Sequence, residues 1–155
     1  MVDLYDRDRK PLKDASAGCP LYSEAMIFTG SRRWVMLKKE GSVSPVRSAV
    51  SHGDDSYSAV RRQIVSDTGI TVNTGAVPFT GCFTAPDSTE RIIDIWVFRL
   101  DEKDEELRKS HPGILIMSSD EIKDCFDGGS FMDLGEEDRL KAVFTVYETP
   151  VCVDF

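Results

Sequence analysis

Two sets of side chains in this sequence have the types and spacing to do chemistry. The first is cationic: Arg32, Arg33, Lys38, Lys39, Arg47, Arg61 and Arg62 all fall between residues 32 and 62, and such a set can converge on a phosphate-bearing ligand. The bland alternative is that they are solvated strand edges and loops, the usual fate of Lys and Arg. The second set is Gln63, Ser66 and Asp67, which fall together on one face of a predicted helix, a turn apart. Cys19, Cys82, Cys125 and Cys152 have no C-x-x-C spacing, and His52 and His111 are isolated, so neither residue type suggests a zinc centre.

The elements that must position these groups start with the stretch Ser48 to Ile70. Asp55 and Ser56 are N-capping residue types ahead of a helical pattern, and Gly69 stands where a left-handed helix stop is wanted. Between them lie roughly three and a half turns. Tyr57, Val60 and Ile64 recur at helical spacing, so one face packs while the polar face is presented.

Taken in order, residues 1–18 read as an extended N-terminal arm and 19–155 as a single domain. Cys19–Thr29 and Trp34–Lys38 read as a hairpin across a polar turn, and Val46–Val50 as a short strand before the helix. Ile70–Phe83, punctuated by Gly75 and Gly81, predicts a long bent strand with a turn at Asp87-Ser88-Thr89. Arg91–Leu100 is nearly continuously apolar and predicts a central strand. Asp101–Lys109 is expected as a charged loop or single turn, Ile114–Met117 as a buried strand, and Ser118–Glu121 as the N-cap of a short helix reaching Phe126. A last helix, about Glu136–Tyr147, buries Leu140, Val143, Phe144 and Tyr147. This order predicts an α+β fold, an α/β/α sandwich with a mixed sheet between helices.

The totals agree with one globular domain: 155 residues, 41% hydrophobic and 30% charged. The net charge of −8 is unevenly spread, with 11 Lys and Arg against 9 Asp and Glu in residues 1–75 and 8 against 18 in the remainder. An acidic whole argues against non-specific nucleic-acid binding. No apolar run approaches the roughly 20 residues of a membrane span. The charged N-terminus lacks a signal-peptide core, so an intracellular, cytoplasmic location is expected, without excluding an organelle.

The stretch Ser48–Ile70 resembles the Nudix box, which reads Gly, five residues, Glu, seven residues, Arg-Glu-hydrophobic, one residue, Glu-Glu, one residue, Gly-hydrophobic. Set on Asp54 and Arg62, the pattern runs without a gap to Ile70. Arg62, Ile64, Gly69 and Ile70 match, and Asp54 and Asp67 stand in for Glu. Ser48 replaces Gly, while Gln63 and Ser66 each replace Glu. The resemblance covers roughly residues 19–149, with the hairpin entry and closing helix of small Nudix hydrolases.

The resemblance implies metal-assisted hydrolysis of diphosphates, with Mg²⁺ held by carboxylates on the box helix. Asp54, Arg62, Gln63, Ser66 and Asp67 would be the catalytic positions, Asp67 the one remaining metal ligand, and Glu90, Glu136 or Glu137 a base from outside the helix. Arg32, Arg33, Lys38 and Arg47 would be ligand-binding residues. Three carboxylates have become one, so the sequence is expected to be an impaired or inactive Nudix-fold protein. It would need no cofactor and would bind a nucleotide, an RNA end or a protein partner. The alternative is an active, divergent Mg²⁺-dependent pyrophosphohydrolase of nucleoside-diphosphate-linked or diphosphoinositol substrates. A third reading is an unrelated α+β binding domain.

Overall fold

Two largely buried strands carry the sheet. The computed structural model describes residues 3–6, 8–12, 18–72, 79–84 and 90–149, with the side chains of 79–84 outside the description. The strands are β1 (Leu4–Tyr5), β2 (Pro11–Leu12), β3 (Cys19–Phe28), β4 (Trp34–Lys39), β5 (Ser42–Ser44), β6 (Val46–Ala49), β7 (Phe79–Thr84), β8 (Glu90–Arg99) and β9 (Leu115–Met117). The helices are α1 (Ser56–Thr68), α2 (Asp104–Ser110), α3 (Ser119–Asp127) and α4 (Glu137–Glu148).

β3 is the hub. On one edge it runs parallel to β8, from Leu21 opposite Ile92 to Phe28 opposite Arg99. Its other edge takes three antiparallel partners in succession: β1 at Cys19–Pro20, β6 at Tyr22–Ala25 and β4 at Ile27–Phe28. β7 lies antiparallel on the far side of β8, and β5 and β9 both pair with β4. A parallel pair cannot be closed by a tight hairpin, so the chain between β3 and β8 has room for the loop and helix of the candidate site.

Burial on both faces of the sheet explains its composition. Ala25, Ile27, Val35 and Phe98 face Val60 and Ile64 of α1 and Leu107 of α2. Met26, Trp34, Ile93 and Ile95 face Ile122 of α3 and Leu140, Val143 and Phe144 of α4. The result is a mixed sheet between two helical layers, the expected α/β/α sandwich. No helix among the described residues is long and apolar enough to cross a membrane.

Three local expectations are refined. Within Asp101–Lys109, expected as a charged loop or a single turn, α2 runs over Asp104–Ser110, with Asp104, Glu105 and Glu106 in its first turn and Arg108 and Lys109 in its last, charges that complement the helix dipole. Of the long strand expected over Ile70–Phe83, the described residues are strand at Phe79–Thr84 and irregular at Ile70–Val72; residues 73–78, and the turn expected at 87–89, lie outside the described residues. The N-terminal arm adds strands to the sheet. Tyr5 donates its hydroxyl to the carbonyl of Val50 at 2.9 Å, and Arg9 binds both carboxylate oxygens of buried Asp94. Cys125 is a free thiol, as expected.

The β3–β4 turn depends on a close backbone approach. Gly30 donates to the carbonyl of Glu102 at 2.9 Å, and a Cβ at Gly30 would run into the carbonyl oxygen of Asp101. Gly30→Ala is expected to cost about 1–3 kcal/mol of stability, as overpacking does when the obstacle is backbone. A urea melt measures it.

Candidate functional site

The box helix is built as its sequence dictates. Asp55 caps α1, accepting from the Ser58 amide at 2.7 Å and the Ser58 hydroxyl at 2.8 Å, and these bonds hold its carboxyl below the usual range. Gly69 ends the helix at φ 77°, its amide donating to the carbonyl of Val65 at 2.9 Å, a conformation that suits glycine. Val60 and Ile64 are buried. Tyr57 packs edge-on against Trp96, whose indole donates to Ser56 Oγ at 2.7 Å.

The polar face closes on itself. Gln63 donates its amide to Asp67 Oδ1 at 2.9 Å, and Lys39 of β4 lies 3.5 Å from Asp67 Oδ2. Ser66 is exposed, and Arg62 pairs with Asp54 in the preceding loop. Thus four of the five box positions form two separate bonded pairs, with Lys39 added to one of them. Lys39 was not singled out for this role, although a cation at the end of a strand facing a helix stop is a readable signal.

This arrangement does not fit Mg²⁺. A hard divalent cation needs several anionic or neutral oxygens free to converge at about 2.1 Å. Here the face has one carboxylate, and an amide N–H and an ammonium already occupy its two oxygens. Among the described residues, no group of three or more His, Cys, Asp or Glu side chains is arranged to hold a metal ion.

Ser48, at the box glycine position, lies in regular strand opposite Ser23. The left-handed glycine of the loop is instead Gly53, at φ 85°, just before Asp54. The cations proposed from sequence are dispersed among different partners. Arg32 reaches the carbonyl of Glu148 at 2.7 Å, Arg33 lies 3.8 Å from Asp104, and Lys38 is exposed on β4 opposite Val43. Arg61 donates to the carbonyl of Val72 at 2.9 Å and stacks on Tyr57. With Arg62, Ser58, Val65, Thr71 and Val72 it lines an open groove of about 410 Å³ on the outer side of α1. Glu90 is exposed at the start of β8, and Glu137 lies 3.7 Å from Lys141 within α4. Of the aromatic residues considered for base stacking, Phe98 is buried, Trp96 is engaged with α1, and the side chains of Phe79 and Phe83 lie outside the described residues.

Arg47 is the largest departure from expectation. It is not a solvated edge residue but lies under the α4 face of the sheet, its side chain 10% exposed. Its Nε donates to Glu24 on the neighbouring strand and its Nη2 to Glu136 Oε1 at 3.0 Å, while Phe131 packs over the guanidinium with its ring centre 5.5 Å away. Glu24 and Glu136 are fully buried. Burial pushes the Glu24 carboxyl up, opposed by Arg47; burial and the charge of Glu24 push Glu136 up to about 8. Glu136, weighed from sequence as an outside base, is therefore sealed within a structural cluster. Glu24 was missed, though a lone carboxylate inside the apolar run from Leu21 to Phe28 was its signal.

Among solved structures, Nudix hydrolases are similar in fold to this chain. A Nudix hydrolase from Nitrosomonas europaea superposes with a TM-score of 0.64 at 11% identity, covering 88% of this chain and 97% of that one. A mutT/nudix family protein from Listeria innocua gives 0.60 at 16% identity, over 82% and 92%. The C. elegans Ap4A hydrolase gives 0.59 at 13%, over 81% and 98%. No protein-family model matches the sequence, and no curated protein matches it. This chain has the Nudix fold.

Proposed function

We propose that this chain is a Nudix-fold binding module without diphosphate hydrolase activity, and that its ligand is a phosphate-bearing molecule, either a nucleotide or an RNA end. The observation that carries the reading is the state of Asp67: the last carboxylate on the box helix face is bonded to Gln63 and Lys39. Metal-assisted hydrolysis needs the metal to neutralise developing charge and to activate water, and this face supplies cations of its own instead.

A fixed ammonium and guanidinium can still attract and orient phosphate without cleaving it, because binding and transition-state stabilisation are separate demands. The exposed guanidinium of Arg62 and the groove beside Arg61 are the cationic surfaces α1 presents. Apolar Val65 and Val72 in that groove suit the body of a nucleotide better than an inorganic anion.

The test is a hydrolysis screen with Mg²⁺ or Mn²⁺ over nucleoside diphosphate derivatives, dinucleoside polyphosphates, capped RNA and diphosphoinositol phosphates, run beside calorimetry with the same compounds. Binding without turnover is expected. Turnover of any of them that Asp67→Ala abolishes would overturn the proposal in favour of the divergent hydrolase, and binding of a protein partner but none of these ligands would overturn the ligand class.

A further inference from the structure

A short segment lies across the cluster of Glu24, Arg47 and Glu136. It runs from Gly129, at φ 72°, to Gly135, at φ 95°, so both ends are left-handed glycines. In the middle it is pinned to β5 by two main-chain bonds, from the Val43 amide to the Ser130 carbonyl at 2.7 Å and from the Met132 amide to the Val43 carbonyl at 2.8 Å. Phe131 is the anchor, buried between Phe126 and the guanidinium of Arg47.

The charges underneath do not balance. Two buried carboxylates share one guanidinium, and Asp133 from the segment itself adds a further negative field on both. The groups facing Glu136 are Arg47 from β6, Glu24 from β3, and Asp133 and the Leu134 amide from the segment. Among the described residues, Glu24 Oε2, Glu136 Oε2 and Arg47 Nη1 are buried without a hydrogen-bond partner. A low-dielectric site tolerates an ion pair far better than an excess anion, so the closed arrangement is neutral only with one proton on the carboxylates.

We infer that residues 129–136 form a proton-latched strap, closed over Arg47 while the two glutamates share a proton and released when that proton leaves. Glu136, with its pKa raised to about 8 in the closed state, returns to the ordinary carboxylate range when the strap lifts and water reaches it. The closed state binds the proton more tightly than the open one. Closure is therefore fully favoured below the ordinary carboxylate range, weakens as pH rises to about 8, and is level beyond that. This inference is independent of which ligand the box helix takes.

Hydrogen exchange on the whole protein tests it, with rates corrected for the intrinsic pH dependence of amide exchange. Protection of the Val43 and Met132 amides is expected to fall by about 30-fold or more between pH 5.5 and 8.5, while that of Ile64 in α1 does not follow it. Glu136→Gln and Glu24→Gln each leave one carboxylate for one guanidinium, and each should flatten the profile with the strap closed. If one variant fails to fold, the other decides. A flat profile in the native protein, or a steep one retained in either glutamine variant, would overturn the latch.

Discussion

Arg47→Met is expected to be the most damaging single substitution in this protein, costing about 3–5 kcal/mol at neutral pH, the usual penalty for removing one partner of a buried ion pair. Methionine nearly fills the volume and keeps contact with Phe131, so the loss is electrostatic. Glu24 and Glu136 are left buried, facing each other and Asp133 with no counter-charge. The sign follows from the protons: both carboxyls are already raised in the native state, and without Arg47 they must be neutral for the fold to persist. Stability of the variant should therefore be highest in acid and fall as pH rises, more steeply than in the native protein. Chemical denaturation at pH 5 and pH 8 measures this, and equal losses at both values would mean that Arg47 contributes by packing.

The second large effect is a gain. The triple variant Lys39→Gln, Gln63→Glu, Ser66→Glu removes the ammonium from Asp67 and gives the face three carboxylates. Its affinity for Mn²⁺ or Mg²⁺ is expected to rise by about 100-fold or more over the native protein, roughly 3 kcal/mol. Without metal the variant should be slightly less stable, since like charges one helical turn apart repel by a few tenths of a kcal/mol. Adding metal should then raise its Tm through mass action while leaving the native protein unmoved. Calorimetry and a thermal melt with and without Mn²⁺ read both. Metal binding without hydrolysis would place the further requirement for catalysis elsewhere, at Ser48 or at an outside base. No change in affinity would show that the geometry of the face, and not its charge, keeps the metal out.

How much of this was legible beforehand follows from the range over which each signal acts. The box helix was readable to within a residue at both ends, because Asp55 and Gly69 act on their own backbone neighbours. The capped helix after Ser118 was readable for the same reason, its capping box being closed by Glu121. The central strand stood out because burial on both faces leaves a nearly continuous apolar run. The helix at Asp104–Ser110 was legible only as a charged loop or a single turn: with only Asp104 and Leu107 buried, it has too little apolar periodicity to show its full length.

The sequence by itself determined the sandwich, the position of the helix that resembles the Nudix box and the single carboxylate on its polar face, since each depends on residue type and on spacing along one element. Only the tertiary structure decided what the remaining charges do. Arg47 and Glu24 meet because β6 pairs with β3 in a register that puts them opposite each other, and Glu136 joins them from a segment 89 residues later than Arg47. Lys39 reaches Asp67 from another strand, across 28 residues. A charge looks the same in a sequence whether it will be solvated, buried or neutralised, because its fate is set by partners that the chain brings to it from far away.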